Sequence, residues 1–424
     1  MPMRSQVKPP SSPWDLETLI QDVKLNETQA TVLRSLQINT PEEVISLCQS
    51  FPSLQKAIGI DLTKLANRAS RALSKPRRAL FAVPGRAGAT AQQQTVYAKG
   101  ARHPRGAPGA TGFKVPVASG RAGGSGASGS SPGGSGSGSG SGGSKSSGSG
   151  SSKSGGSGSS GGSGSGSGGS GSGNPGTSLD FRLNGWAIRN QGDRPTCVAF
   201  ALAACREHLA QDGQLDLSEQ FLYWAAKTQT AEPEPDADGT FIEFGRDALE
   251  TEGLCERKHW LYDPNVIAGN QTHESNATPS AAAKTDAQTW SHQAAVYDAM
   301  PAVGGYQAVF DALQKHKRPV AITVPVFSDP AAPGSDNWNT RISVLTGRVF
   351  EPVPSSVASG GHAVCVTGFV PDANETTGGW FVFRNSWGDN WASTPVDLAR
   401  TPERGYGHIS ATYVDDYLWE LCCL

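Results

Sequence analysis

The chain has 424 residues, room for two or three domains at roughly 150 residues each, but its 52 glycines, many in one block, take part of that length out of any packed core. Its formal net charge of −2 hides a split: residues 62–178 carry fourteen Lys or Arg and no acidic residue, whereas residues 179–424 carry seventeen basic and thirty-one acidic ones. No run of about 18 apolar residues exists to cross a membrane, and the seven cysteines (48, 197, 205, 255, 365, 422 and 423) form neither a CxxC pair nor a zinc-type Cys/His spacing.

Residues 1–13 read as a disordered tail without the apolar core of a secretory signal. The Asn-X-Thr triplets at Asn270 and Asn276 are then chance matches, and the expected location is cytoplasmic. Residues 14–74 read as a small all-α domain, with helices expected near 15–24, 27–37, 41–51 and 61–74. Its clearest boundary is Thr40-Pro41-Glu42-Glu43, an N-cap, a proline at the first helical position and a capping-box glutamate. Val44, Ile45, Leu47, Cys48 and Phe51 follow with helical spacing.

Through its Leu36-Gln37-Ile38-Asn39-Thr40-Pro41-Glu42-Glu43 turn, this segment resembles helix-hairpin-helix and other SAM-like small bundles, without the glycine usual in such a hairpin. The resemblance implies an adaptor. The reading favours a protein partner for residues 14–74 over nucleic acid.

Residues 75–118 mix Pro, Gly, Ala and basic residues without periodicity and read as disordered, and residues 119–176 as a Gly/Ser-rich flexible linker. About 55 such residues have an r.m.s. reach on the order of 40 Å. The basic side chains can steer the tether toward anionic surfaces, but simple solubility accounts for them better.

Residues 177–424 read as one globular domain, helical in its first half and β-rich in its second. Asn190-Gln191-Gly192-Asp193 is a polar turn, followed by Pro195-Thr196 and then Cys197 at the head of the apolar run Val198 to Cys205. Thr196 is positioned to cap that helix, and a thiol at its start feels the positive end of the helix dipole, which favours thiolate. Gln191 can present an amide N–H to a developing oxyanion. Ser218 is placed to cap a second helix, Asp238-Gly239-Thr240-Phe241 precedes a third at about 244–252, and 263–290 reads as an insertion loop. A helix over 305–317 and a β-rich run at 319–324 follow.

Two downstream stretches complete a chemistry. Ser359-Gly360-Gly361-His362-Ala363-Val364 puts a histidine at the start of an apolar strand, and a second strand, Trp380 to Arg384, ends at Asn385-Ser386-Trp387-Gly388. A nucleophilic thiolate needs a base, and the base needs a third group to hold its ring. An Asn carbonyl can accept the His N–H, and a Trp can screen that bond from water.

This set, in the order Gln191, Cys197, His362, Asn385, resembles the papain-like (C1) cysteine peptidases over about residues 180–424. The resemblance implies an α+β, two-lobed fold and a cysteine-type peptidase acting on protein or peptide, with no metal and no cofactor. It implies Cys197 as nucleophile, His362 as base and acid, Asn385 as orienting group and Gln191 as oxyanion donor. It also implies Gly239 and Thr240 as the backbone that holds an extended substrate, although an ordinary turn fits them equally.

The match has departures. Arg194 stands where the family carries a cysteine, and Val198 where it carries an aromatic. The 165-residue Cys-to-His separation exceeds the family's roughly 130–150, an excess the 263–290 insertion can absorb. An inactive peptide-binding scaffold and an acyltransferase using the same residues stay open as alternatives. Cys205 and Cys365, among apolar neighbours, are expected in the core.

Overall fold

The computed structural model describes residues 14–74, 81, 101–102, 176–264, 278–292, 295–299, 304–332, 334–394 and 403–424. The tail at 1–13, most of the 75–118 segment and nearly all of the Gly/Ser linker lie outside these residues. Helices and strands are mixed, as the sequence implies.

Five short helices come first: α1 (Leu16–Val23), α2 (Glu27–Ser35), α3 (Pro41–Ser50), α4 (Ser53–Ile58) and α5 (Leu62–Arg71). Each break has a local cause. Thr40 and Glu43 make the expected capping box at α3, Asn26 and Gln29 make another at α2, and Gly59 ends α4 in a left-handed conformation with φ 68°. Leu33, Val44, Leu47, Phe51 and Leu65 fill the space between them.

That core does not close on itself. Ile342, Phe350 and Val353, from the far end of the chain, are buried in the same cluster. Arg348 crosses the junction: its guanidinium forms an ion pair with Glu43 at 2.9 Å, donates to the Gln37 carbonyl at 2.7 Å, and lies 4.5 Å from the Trp380 ring centroid. Ser53 N–H also donates to Asp329 at 2.8 Å, and Gln37 donates to Glu375 at 3.0 Å. Residues 14–74 thus form the helices expected of them but share a buried face with the β-rich half.

The helical half is built on α6 (Cys197–Leu209), α7 (Glu219–Thr228) and α8 (Ile242–Thr251). Alpha6 is apolar on nearly every side, the pattern of a helix with no solvent face, and nearly all of it is buried. Gly245 lets α8 approach it, because a Cβ there would lie 2.5 Å from a Leu202 methyl. Ser218 caps α7 as expected, its hydroxyl accepting from Phe221 N–H at 3.1 Å.

The expected insertion loop is not wholly irregular: Ser280 caps a short helix, α9 (Ala281–Ala287), whose Ala283 and Ala287 are buried. Residues 265–277 lie outside the described set. Alanine-rich sequence with a serine cap is a helix signal that the Pro and Asn residues around it obscured.

The second half is one antiparallel sheet. Beta1 (Leu179–Asp180), β2 (Val296–Ala299), β3 (Val320–Ser328), β4 (Val357–Pro371), β5 (Gly379–Arg384), β6 (Tyr406–Ser410) and β7 (Glu420–Cys423) run in the order β2-β7-β3-β4-β5-β6, with β1 on β4. Helices α10 (Gly305–His316), α11 (Arg341–Thr346) and α12 (Ala411–Tyr417) accompany it. Beta3 and β4 are buried over most of their length because α6 covers one side, and Val309, Phe310, Trp338, Phe369 and Tyr413 pack into the sheet's own core. Cys205 and Cys365 lie in the core, as expected. No helix among the described residues is long and apolar enough to cross a membrane.

Candidate active site

Cys197 is the first residue of α6 and fully buried. The fold brings it against β4, where the Ala363 N–H points at its sulfur at 3.3 Å. Ala363 is the residue after His362, and His362 is held in register opposite Val324 of β3. Cys197 and Ala363, 166 positions apart in sequence, therefore meet where the start of a helix crosses a central strand, one residue beyond His362.

His362 Nε2 lies 2.8 Å from Asn385 Oδ1. Ser386 N–H donates to the same oxygen at 2.8 Å, and a backbone N–H can only donate, so the atom facing His362 is the amide oxygen. In the neutral ring Nε2 then carries the proton, which makes Nδ1 the basic nitrogen. Trp387 stacks on the imidazole with centroids 4.3 Å apart and planes 25° from parallel, and Trp338 meets it edge-on at 5.1 Å. Both indoles are fully buried, so the His–Asn bond is dry, the environment in which such a bond is strongest.

Gln191 is also fully buried. Its Nε2 donates to the Arg194 carbonyl at 2.8 Å, its Oε1 accepts from Ser386 Oγ at 2.5 Å, and its backbone N–H donates to the Ser386 carbonyl at 2.8 Å. The turn carrying Gln191 is therefore clamped to the residue that follows Asn385. An amide NH2 has two donors, and Arg194 takes one of them.

Thr196 does not cap α6 through its side chain, contrary to expectation. Its hydroxyl pairs instead with Tyr262 at 2.7 Å, while Tyr262 donates to the Gln191 carbonyl at 2.8 Å. A tertiary partner outcompetes the local cap here. Burial, the larger effect, and Glu219 among its charged neighbours raise the Tyr262 phenol well above its ordinary value, so it remains a donor at any working pH.

Arg194, at the position where the papain pattern has a cysteine, does a tying job of its own. It donates to Gln220 at 2.7 Å and to the Asp263 carbonyl at 2.6 Å, and stacks 4.7 Å from the Tyr262 centroid. Sequence reasoning missed Tyr262, Trp338 and Ser386 as supports of this site. Only Ser386, next to Asn385, carried a local signal.

Gly239 and Thr240 stand on the loop before α8. Gly239 has φ 74°, and its carbonyl accepts from Lys227 at 2.8 Å. Thr240 presents its carbonyl to an extended backbone, accepting from Arg102 N–H at 2.9 Å. The neighbouring Ala101 N–H donates to the Gly361 carbonyl at 3.2 Å, beside His362. Ala101 thus bridges the loop of the helical half and the histidine strand, and a Cβ on Gly361 would lie 2.6 Å from its carbonyl oxygen. No cluster of His, Cys, Asp and Glu suited to a metal ion occurs among the described residues.

No protein-family model matches the chain. An uncharacterized peptidase C1-like protein of Acanthamoeba polyphaga mimivirus is 24% identical over 208 residues, which span 48% of this chain and 60% of that relative. Among solved structures, xylellain, a cysteine protease from Xylella fastidiosa, matches with TM-score 0.43 and 21% identity over 58% of this chain and 84% of its own. A cysteine protease of Carica candamarcensis, solved with E-64, matches with TM-score 0.36 and 19% identity over 58% of this chain and 96% of its own. Over part of its length, in the order of its Gln, Cys, His and Asn motifs and in its mimiviral relative, this chain is similar to the papain-like C1 peptidases.

Proposed function

We propose that the chain is a cysteine-type peptidase of papain-like, two-lobed design that hydrolyses peptide bonds between its helical and β-rich halves. The observation that carries the reading is the dry His362–Asn385 hydrogen bond on the strand whose next N–H points at the Cys197 sulfur. In this reading Cys197 attacks the scissile carbonyl as thiolate. The C–N bond breaks as the tetrahedral intermediate collapses, and His362 gives the proton to the leaving amine. Water, deprotonated by His362, then releases the acid from the thioester. Gln191 and the Cys197 backbone N–H stabilise the oxyanion, and Asn385 keeps the ring in the tautomer the transfer needs.

Gly239 and Thr240 hold substrate backbone, a role supported by the Arg102 N–H already received at Thr240. Helices 16–71 recruit a protein partner through faces they do not use against residues 342–353. Acyl transfer to an amine would use the same catalytic groups, and product analysis with an added amine separates it from hydrolysis.

The test is labelling with an epoxide-type thiol probe, followed by mapping of the modified peptide. It uses the native protein, Cys197→Ala, His362→Ala, and Arg102→Ala, which removes the side chain that anchors residue 102 to Glu232 and Glu234. Label on Cys197, lost in the first two variants and faster in Arg102→Ala, is expected. Folded protein in which Cys197 reacts no faster than Cys48 in either the native or the Arg102→Ala form would remove the peptidase reading.

A further inference from the structure

Arg102 is bound in the way a ligand is bound. Its backbone N–H is taken by Thr240, and its side chain turns into a pocket on the helical half. There Nη1 donates to Glu232 Oε1 at 2.9 Å and to the Glu234 carbonyl at 3.2 Å, Nη2 pairs with the Glu234 carboxylate, and the guanidinium carbon sits 5.0 Å from the Phe241 centroid. Two carboxylates at separate nitrogens of one guanidinium, with an aromatic ring 5.0 Å from its carbon, suit arginine better than lysine.

The pocket is built independently of Arg102. Glu232 has no exposed side-chain surface, and its two oxygens are held by Lys227 at 2.6 Å and Thr240 at 2.7 Å. Lys227, itself fully enclosed, also reaches the carbonyls of Ala237 and Gly239 at 2.9 and 2.8 Å. Lys227 pairs with the Glu232 carboxylate while Arg102 pairs with both Glu232 and Glu234, so removing Arg102 takes away the cation that Glu234 meets here. The same Thr240 that fixes Glu232 holds the extended backbone, so side-chain recognition and backbone recognition share a residue.

We propose that Glu232, Glu234 and Phe241 form an arginine-selective subsite of the peptide cleft, and that Arg102 occupies it in cis, competing with arginine-containing peptide. The proposal rests on the cleft reading above but not on catalysis, since a peptide-binding scaffold would use the same pocket. A substrate arginine would make the contacts Arg102 makes, one residue away from the position held by the Gly361 carbonyl. A tethered occupant competes at high effective concentration, so entry of a free peptide depends on Arg102 leaving.

The experiment measures binding in the full-length Cys197→Ala protein, which cannot turn over its ligand, by fluorescence anisotropy. The probes are two labelled alanine-rich heptapeptides that differ only in one central arginine or citrulline, which keeps the shape and removes the charge. With Arg102→Ala added, the arginine peptide is expected to bind at least tenfold tighter than the citrulline peptide, and at least tenfold tighter than it binds when Arg102 is present. Adding Glu234→Gln, at a side chain that is 64% exposed and tolerant of change, should cut the arginine preference several-fold, and Phe241→Leu should do the same. Equal binding of the two peptides to the Arg102→Ala protein overturns the subsite, and no gain on removing Arg102 overturns the cis occupancy. A retained arginine preference together with an unreactive Cys197 supports the subsite and removes only the peptidase.

Discussion

Asn385, the orienting group in the proposed mechanism, shows how much of a residue's role is set by what it can no longer do. Its amide oxygen already accepts from Ser386 N–H, so it can only receive, and His362 must present a proton to it. Asn385→Ala removes that constraint while leaving the ring between Trp387 and Trp338. The expected result is a fall in kcat/KM of about a hundredfold with unchanged circular dichroism, and a rate within about threefold of native excludes an orienting role. The residue type and its place at the end of an apolar strand were legible in sequence. The lock supplied by Ser386 was partly so, because it sits next in the chain. Tyr262 was not, because its hydrogen bonds to Thr196 and Gln191 join residues 66 and 71 positions apart.

Among the elements, helices were easiest to read where a polar side chain closes on its own backbone. Thr40 with Glu43, and Ser218 with Phe221, behave as their sequences imply. Thr196 does not, since Tyr262 claims its hydroxyl. Glu43 has a second duty that its capping box conceals: its other oxygen faces Arg348 at 2.9 Å, with both side chains 6% exposed. Arg348→Ala leaves that carboxylate buried without its cation and should destabilise the protein by about 3–5 kcal/mol in denaturant unfolding. The double variant Glu43→Gln with Arg348→Met should recover a large part of the loss, because the buried charge goes with its partner. Equal instability of the single and double variants would mean that packing on Trp380, not charge, joins the helices to the sheet.

For the molecule as a whole, buried carboxyls set the dependence of stability on pH. Desolvation lifts Glu351 to about 8, and burial lifts Glu219 and Glu420 to about 7. These groups hold protons in the folded state that the unfolded chain gives up near its ordinary value of about 4.5. Their contribution is full below about 4.5 and is lost as pH rises through 7 to 8. His408 acts in the opposite sense: burial lowers it to about 3, so folding loses stability as pH falls from about 6.5 toward 3. Above about pH 6.5 the histidine contribution is constant and the carboxyls govern. Thermal unfolding should therefore show a Tm that declines from pH 6.5 to 8.5, and Glu351→Gln should flatten that decline. An unchanged slope in Glu351→Gln would remove Glu351 as its source.

The amino-acid sequence by itself determined which residues could carry the proposed chemistry and their order along the chain. It marked a cysteine at a helix start, a histidine entering a strand, an asparagine ending the next, and the mix of helices and strands around them. These are readable because each is a local pattern, in a periodicity or a cap. Only the tertiary structure decided that helices 16–71 share a core with Ile342 and Phe350, that Tyr262 and Ser386 brace the Gln191 turn, and that Arg102 lies across Thr240 and over Phe241. The basic segment read as a tether because its residues have no periodicity of their own. What holds Arg102 is the shape and charge of a pocket formed more than a hundred residues away, and no local pattern encodes that.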